Sequence, residues 1–517
     1  MATDGGAPAG MIGVMGTLDF VTFNTRTMRG LGQVRGLFRR CAILTALLGV
    51  FGMDRAAAQV SLQPEAWDAS IKLPQAVDIN PDPHIVEVNL EARVAQVEIV
   101  PGQRVEVWTY NGAIPGPLIR VRVGDRLIVH FSNNLPQPTT VHWHGLRVPI
   151  QMDGVPGHSQ KEVEPGGAFT YDFKVPDAGL FWYHPHVMSA AQAGFGLYGA
   201  LLVEDPMDEV AVSDELVLVL SDIAIGDDGR LESPDSGGSA GMVFGREGNH
   251  VLMNGRERAR LLARAGVPQR WRIVNAAKSR YFELDLGGST FTKIGGDGGL
   301  QEYAVESETL VLAAGERADV IVTPRGAPGS ELVLRSLLYN RGYGSVEARL
   351  PYDDLVTITM ADLPLSATAP LPKVRRAIEP LNPAGATPVD LQLTLAQRAD
   401  GNFEYGINGV PFSRNKSIVA RPGETQIWTV TNKTKWSHPL HLHGFFFQVL
   451  DAQGAPAHPL AWRDTVNVPY EQTVRFLVRF DDREGSWMFH CHILDHADGG
   501  LMGTVDLGAA HSRHDKP

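Results

Sequence analysis

Cysteine is almost missing from this chain: two residues in 517, at positions 41 and 491. That scarcity excludes a disulfide-stapled scaffold and the multi-cysteine kind of structural zinc site. The apolar run CAILTALLGVFGM (41–53) has only 13 residues, too few to span a bilayer. Basic charge is also short, 46 Lys and Arg against 58 Asp and Glu, so the composition carries no footprint for nucleic acid or an anionic membrane surface. Gly (55) and Pro (34), by contrast, are plentiful and suit an all-β protein with many turns.

The apolar run has a context. Arg35, Arg39 and Arg40 precede it and Ala56-Ala57-Ala58 follow it, the three-part pattern of a bacterial export signal over residues 1–58. Met28 is an alternative start, and Arg39-Arg40 is compatible with either the Sec or the twin-arginine route. The expected mature protein is periplasmic and carries no membrane anchor. Without the signal, 40 basic residues face 55 acidic ones and Cys491 is the sole cysteine. A single cysteine in an exported protein has no internal disulfide partner, so it is either an inert buried thiol or a ligand.

Three stretches share one layout: NGAIPGPLIRVRVGDRLIVHFSNN (111–134), NGRERARLLARAGVPQRWRIVN (254–275) and NGVPFSRNKSIVARPGETQIWTVTN (408–432). Each opens on Asn-Gly, and in each an Asn stands nine residues after a later Gly: Gly124/Asn133, Gly266/Asn275, Gly423/Asn432. The alternation of Leu127, Val129 and Phe131 between them is that of a half-buried strand. Three such units predict an all-β protein of three consecutive β-sandwich domains, at 59–205, 206–365 and 366–517, with a Pro- and Ala-rich linker at 363–388.

The units then diverge. Nine residues past Asn133 comes HWHG (142–145), and nine past Asn432 comes HLHG (441–444), whereas the same offset past Asn275 gives LDLG (284–287). HPH (184–186) and HCH (490–492) each follow a glycine by five residues, while the middle counterpart GSELVLRS (329–336) has no histidine. The middle domain therefore reads as a spacer. Ten of the 17 histidines fall in four clusters: His142 and His144; His184 and His186; His438, His441 and His443; His490, His492 and His496. In a strand, residues i and i+2 point one way and i+1 the other, so His490 and His492 should face one metal site and Cys491 another. Imidazole with thiolate favours copper over calcium or magnesium, and one Cys with two His is the blue-copper set; zinc is the chemical competitor.

The four motifs together resemble the multicopper oxidase family, in its three-domain laccase and bacterial copper-resistance branch. The resemblance implies cupredoxin-like Greek-key sandwiches and four coppers per chain. It assigns His438, Cys491 and His496 to a type 1 copper, His142 and His441 to type 2, and His144, His184, His186, His443, His490 and His492 to a type 3 pair. It implies one-electron oxidation of a small reductant, passage of each electron through Cys491 to His490 and His492, and reduction of dioxygen to water. Asp153 matches the family's acidic residue beside the cluster and is favoured as a source of protons over a turn aspartate before Gly154. In this family the axial type 1 position lies ten residues after the cysteine, which is Leu501 here, with Met502 the tempting neighbour.

The reductant is less legible. The chain after residue 58 has eight dispersed methionines, and Trp436 stands two before His438, so soft ligands for Cu(I) are few. Phenols or aromatic amines lead, with Cu(I) or Fe(II) as the alternative and a copper-sequestering protein as the reading from another class. Asp495 and Asp498 lie near the type 1 ligands, where they could attract a cationic substrate, but they read as solvated loop charges.

Overall fold

The computed structural model describes residues 61–208, 210, 212, 214–342, 352–364 and 376–508; the expected export signal, His511 and His514 lie outside these, as does part of the expected linker. Its strands follow the punctuation of the sequence. In each Asn-Gly pair both residues take positive φ (Asn111 54° and Gly112 79°, Asn254 51° and Gly255 75°, Asn408 55° and Gly409 76°), the conformation of a tight hairpin-type turn. Leu127, Val129 and Phe131 are buried on one face of the strand Arg126–Asn134, as their alternation predicts.

Strands between Ile85 and Glu204 form two four-stranded sheets, those between Asp214 and Met360 a six- and a five-stranded sheet, and those between Thr387 and Leu507 two five-stranded sheets. No described sheet mixes strands from different segments. Each segment repeats one parallel pairing: Ile85–Val100 with Arg126–Asn134, Asp214–Ile223 with Gln269–Asn275, and Thr387–Gln397 with Thr425–Asn432. The architecture is three cupredoxin-like Greek-key sandwiches in series, each closed over an apolar core. Among the described residues no helix is long and apolar enough to cross a membrane.

The repeated asparagine has a structural reason. Asn133 donates to the carbonyls of Gln137 and Val163, Asn275 to those of Arg280 and Leu312, and Asn432 to those of Trp436 and Val468. Each is buried and pins the loop that leads into the next strand. In the first and third segments that strand carries the His-X-His motif. In the middle one it carries Leu284 and then Leu286, both wholly buried in the core. The ladder is nonetheless the same, since Phe282–Asp285 pairs with Glu331–Leu337 as His142–His144 pairs with Gly179–His184 and His438–Leu442 with Gly485–Cys491.

Candidate metal centre

Strand alternation sorts the ligand-type side chains. Trp143 packs wholly buried into the core of the first segment, so His142 and His144 project from the opposite face of their strand. The antiparallel registers His142↔His184 and His441↔His490 then set histidines side by side across each ladder. Cys491 points the other way from His490 and His492, into the core of the third segment.

There Cys491 Sγ lies 3.4 Å from His438 Nδ1 and 3.6 Å from His496 Nδ1, and the two Nδ1 atoms are 3.0 Å apart. All three residues are wholly buried. The outer nitrogens are anchored: His438 Nε2 donates to Thr434 Oγ1 (2.8 Å), and His496 Nε2 donates to the Val243 carbonyl (3.1 Å). Thr434 is itself held by the repeat asparagine, Asn432. Leu501 is wholly buried in the same core, and its carbonyl accepts from the Cys491 amide. Met502 pairs directly with His490, which turns its side chain toward the opposite face from Cys491.

On that opposite face the other eight histidines converge, four from the first segment and four from the third. The nearest ring nitrogens of His186, His443 and His490 lie within 4.8 Å of one another, as do those of His142, His144 and His184, and those of His142, His441 and His443. His492 joins with ring centroids 4.8 Å from His144 and 5.4 Å from His184. Burial holds the imidazoles of His144, His184, His443, His490 and His492 well below their ordinary range, with His186 at about 3, so the rings are neutral and keep a lone pair. Burial pushes the Cys491 thiol up. Neutral imidazole is the metal-binding form, and a bound metal displaces the thiol proton.

Buried ring nitrogens of His142, His144, His184, His186, His441 and His492 have no hydrogen-bond partner. Each unsatisfied buried polar atom costs about 1–3 kcal/mol, so these seven nitrogens (both of them on His492) together demand an electrophile in their midst. This donor set fits soft-to-borderline transition metal and leaves no role for calcium or magnesium.

The far nitrogens of His142, His144, His184 and His441 are fixed by backbone and carboxylate acceptors, which aims their free ones inward, while both ring nitrogens of His492 stay unpartnered. His184 and His490 donate Nδ1–H to the Pro185 and Cys491 carbonyls. Asp153 is buried and serves two rings: its carbonyl accepts from His142 Nδ1 (2.7 Å) and its carboxylate from His443 Nδ1 (2.9 Å). Burial alone would raise the Asp153 carboxyl, and the adjacent imidazoles more than offset this and hold it well below the usual range. Asp464 mirrors it from the third segment, with its carbonyl accepting from His441 Nδ1 (3.0 Å) and its carboxylate 3.2 Å from His144 Nε2. Asp464 is also paired with Arg317, a buried guanidinium from the middle segment. The glycine that closes HWHG is required here: a Cβ on Gly145 would meet the Arg317 guanidinium and the Asp464 carboxylate.

Family models described as multicopper oxidase match residues 91–208, 214–335 and 382–509. The multicopper oxidase MmcO of Mycobacterium tuberculosis is 31% identical over 460 residues, which cover 81% of this chain and 87% of that protein. The chain belongs to the multicopper oxidase family. The oxidase is also similar to the laccase of Bacillus subtilis, at 28% identity over 78% of this chain and 91% of that one. Among solved structures, the Campylobacter jejuni multicopper oxidase, described as a metallo-oxidase, superimposes with a TM-score of 0.75 at 27% identity, over 87% of this chain and 99% of its own. A laccase-like oxidase from Ochrobactrum sp. with activity towards lignin model compounds does so with 0.72 at 26% identity, over 85% and 100%. The protein is thus a copper-dependent oxidoreductase that uses dioxygen and a reducing substrate.

One sequence expectation is corrected. Asp495 is no solvated loop charge: it is 2% exposed, accepts from the Arg246 amide (2.8 Å) and from Ser279 Oγ (3.2 Å), and pairs with the Arg246 guanidinium. Asp498 stays exposed, but its carboxylate accepts from the Ala190 amide. Arg317, Asp464 and Asp297 were not marked by any local pattern. Arg317 and Asp464 lie 147 positions apart, and only the fold joins them.

Proposed function

We propose that the oxidase holds four coppers and oxidises small phenols or aromatic amines one electron at a time while reducing dioxygen to water. The single observation that carries this reading is the strand Gly485–Cys491 with His492 after it, where Cys491 faces His438 and His496 while its two neighbours face the other histidines. In this reading His438, Cys491 and His496 would hold a type 1 copper, with Leu501, which offers no donor atom, buried in the same core. His142 and His441 hold type 2. The type 3 pair divides into His186, His443 and His490 on one side and His144, His184 and His492 on the other, the division that the short ring distances support. Bound copper supplies the one-electron acceptor at the first site and the dioxygen-reducing centre at the second.

The protein's part is to fix tautomers, keep bulk water from the rings and give the electron a covalent route. Peptide bonds join Cys491 to His490 and His492, so no through-space gap separates the two sites along the chain. Asp153 holds the Nδ1–H protons of His142 and His443 and is the carboxylate best situated to pass protons toward the cluster. Export to the periplasm through the 1–58 signal completes the reading.

The aromatic substrate class rests on the scarcity of methionine. A second reading, oxidation of Cu(I) or Fe(II), has one observation in its favour besides the metallo-oxidase likeness: Met242 packs against the core that contains Cys491. Oxygen uptake over a panel of phenols, aromatic amines, Cu(I) and Fe(II) decides between them. Uptake with the metal ions alone rejects the laccase-like reading, and no uptake with any of them favours copper sequestration. Cys491→Ser should abolish the blue colour and oxidation while most of the other copper stays bound.

A further inference from the structure

The buried Cys491 trio poses a problem of access. His438, Cys491 and His496 are each wholly buried, so a reductant cannot touch a ring of this site directly. The side facing away from the other eight histidines is closed by the helix Gly238–Phe244 of the middle segment, whose Val243 carbonyl accepts a hydrogen bond from His496 Nε2. Arg246, just past that helix, clamps it down through Asp495.

An unbroken aromatic run passes under this cover. The Tyr405 ring lies 4.4 Å from that of His496 and 5.7 Å from that of His438. Its hydroxyl donates to the Val243 carbonyl (2.6 Å) and accepts from Trp436 Nε1 (2.6 Å). Tyr405 is wholly buried, but Trp436 is half-buried, and its ring meets Phe244, 42% exposed, edge to face at 5.4 Å. Buried polar tips on both aromatic rings are thereby satisfied, which fixes their mutual orientation.

We propose that Trp436 is where the reductant gives up its electron, and that Tyr405 conducts it to His496. This rests on the assignment of His438, Cys491 and His496 to the type 1 copper. An aromatic reductant can lie against the half-buried indole and the Phe244 ring, and neither ring offers a donor atom to a metal ion. The balance is simple. A phenol loses one electron to the metal held by Cys491 and its hydroxyl proton to water, and the side chains of Trp436 and Tyr405 end the step unchanged. Tyr405 keeps its proton, because its acceptor is a backbone carbonyl that cannot take one.

The test is anaerobic mixing of the copper-loaded protein with hydroquinone, following the bleaching of the blue band, beside a redox titration and the electron paramagnetic resonance spectrum of the same samples. Trp436→Phe should slow bleaching about tenfold, one decade of rate per 1.4 kcal/mol of barrier, with potential and spectrum unchanged. Trp436→Tyr should recover most of the rate. Phe244→Ala, which removes the second ring the reductant lies against, should also slow bleaching. Bleaching of Trp436→Phe at the unaltered rate overturns the proposal, as does slowing accompanied by a shifted potential, which marks a packing role. Absence of a blue band from the unaltered protein overturns the type 1 assignment itself, and with it the proposal.

Discussion

Replacing Arg317 by methionine should cost the oxidase more stability than almost any other single change outside the ligands. Arg317 is 1% exposed and its guanidinium makes a two-pronged pair with Asp464, also 1% exposed. Further donations reach the carbonyls of Leu180 (3.1 Å), Gly315 (3.0 Å) and Asp297 (3.0 Å), so one side chain ties all three segments. Methionine keeps the apolar stem but leaves the buried Asp464 and Asp297 carboxylates without their cation. Breaking a buried pair from one side costs about 3–5 kcal/mol, whereas exposed pairs are worth under about 1 kcal/mol. Burial alone would raise the Asp464 carboxyl, and Arg317 more than offsets this and holds it below its ordinary range. The stabilisation from that depressed group is present above its unfolded value of about 4 and is lost as pH falls. In the variant burial prevails and the carboxyl rises, so its deficit should be widest at neutral pH and narrow toward acid. Urea unfolding midpoints of metal-free protein across pH measure this. Adding Asp464→Asn should restore part of the loss, since the orphaned charge goes too. A variant that unfolds at the unaltered midpoint, or whose deficit grows toward acid, would refute the reasoning.

Leu501→Met should lower the type 1 potential by adding an axial thioether, and Met502→Leu should leave it nearly unchanged; a redox titration with the reverse pattern would make Met502 the ligand. Asp153→Asn should slow reoxidation by dioxygen well beyond any effect on bleaching by a phenol, because it touches His142 and His443 and none of the Cys491 trio. Equal slowing of both steps in stopped-flow traces argues against that role. Gly315→Ala should lose copper from the eight-histidine site while the blue band survives: φ is +89°, and an added Cβ would sit 2.9 Å from His492 Cγ and 3.2 Å from His144 Cε1. Full copper content by elemental analysis would count against it.

The parts of this molecule that follow from local periodicity were readable from residues alone. Leu127, Val129 and Phe131 announced a strand, Asn133 and Asn432 the matching offsets of the histidine pairs, and the order His490-Cys491-His492 two sites back to back. These depend on spacing within one strand or one hairpin. What escaped notice depends on which loop of one segment lands on another. Asp495 looked like a surface charge because its partner Arg246 lies 249 positions away. The middle segment, bare of ligands, looked like a spacer, yet it sends Arg317 to Asp464, Val243 to His496 and Gly315 to the edge of His492. Pattern reading weighs what a segment contains; it has no means of weighing what a segment touches.

The trio His186, His443 and His490 draws one residue from the first sandwich and two from the third, and the pairing of His142 with His441 spans the same divide. A metal seated there is a cross-link between parts of the chain more than 250 residues apart in sequence. Parting of the outer sandwiches would release the metal, so the ion behaves as a removable staple that adds to the Arg317–Asp464 tie, with a grip set by its free concentration. Heat resistance of this oxidase should accordingly climb with the logarithm of available copper, and a chelator should remove that increment.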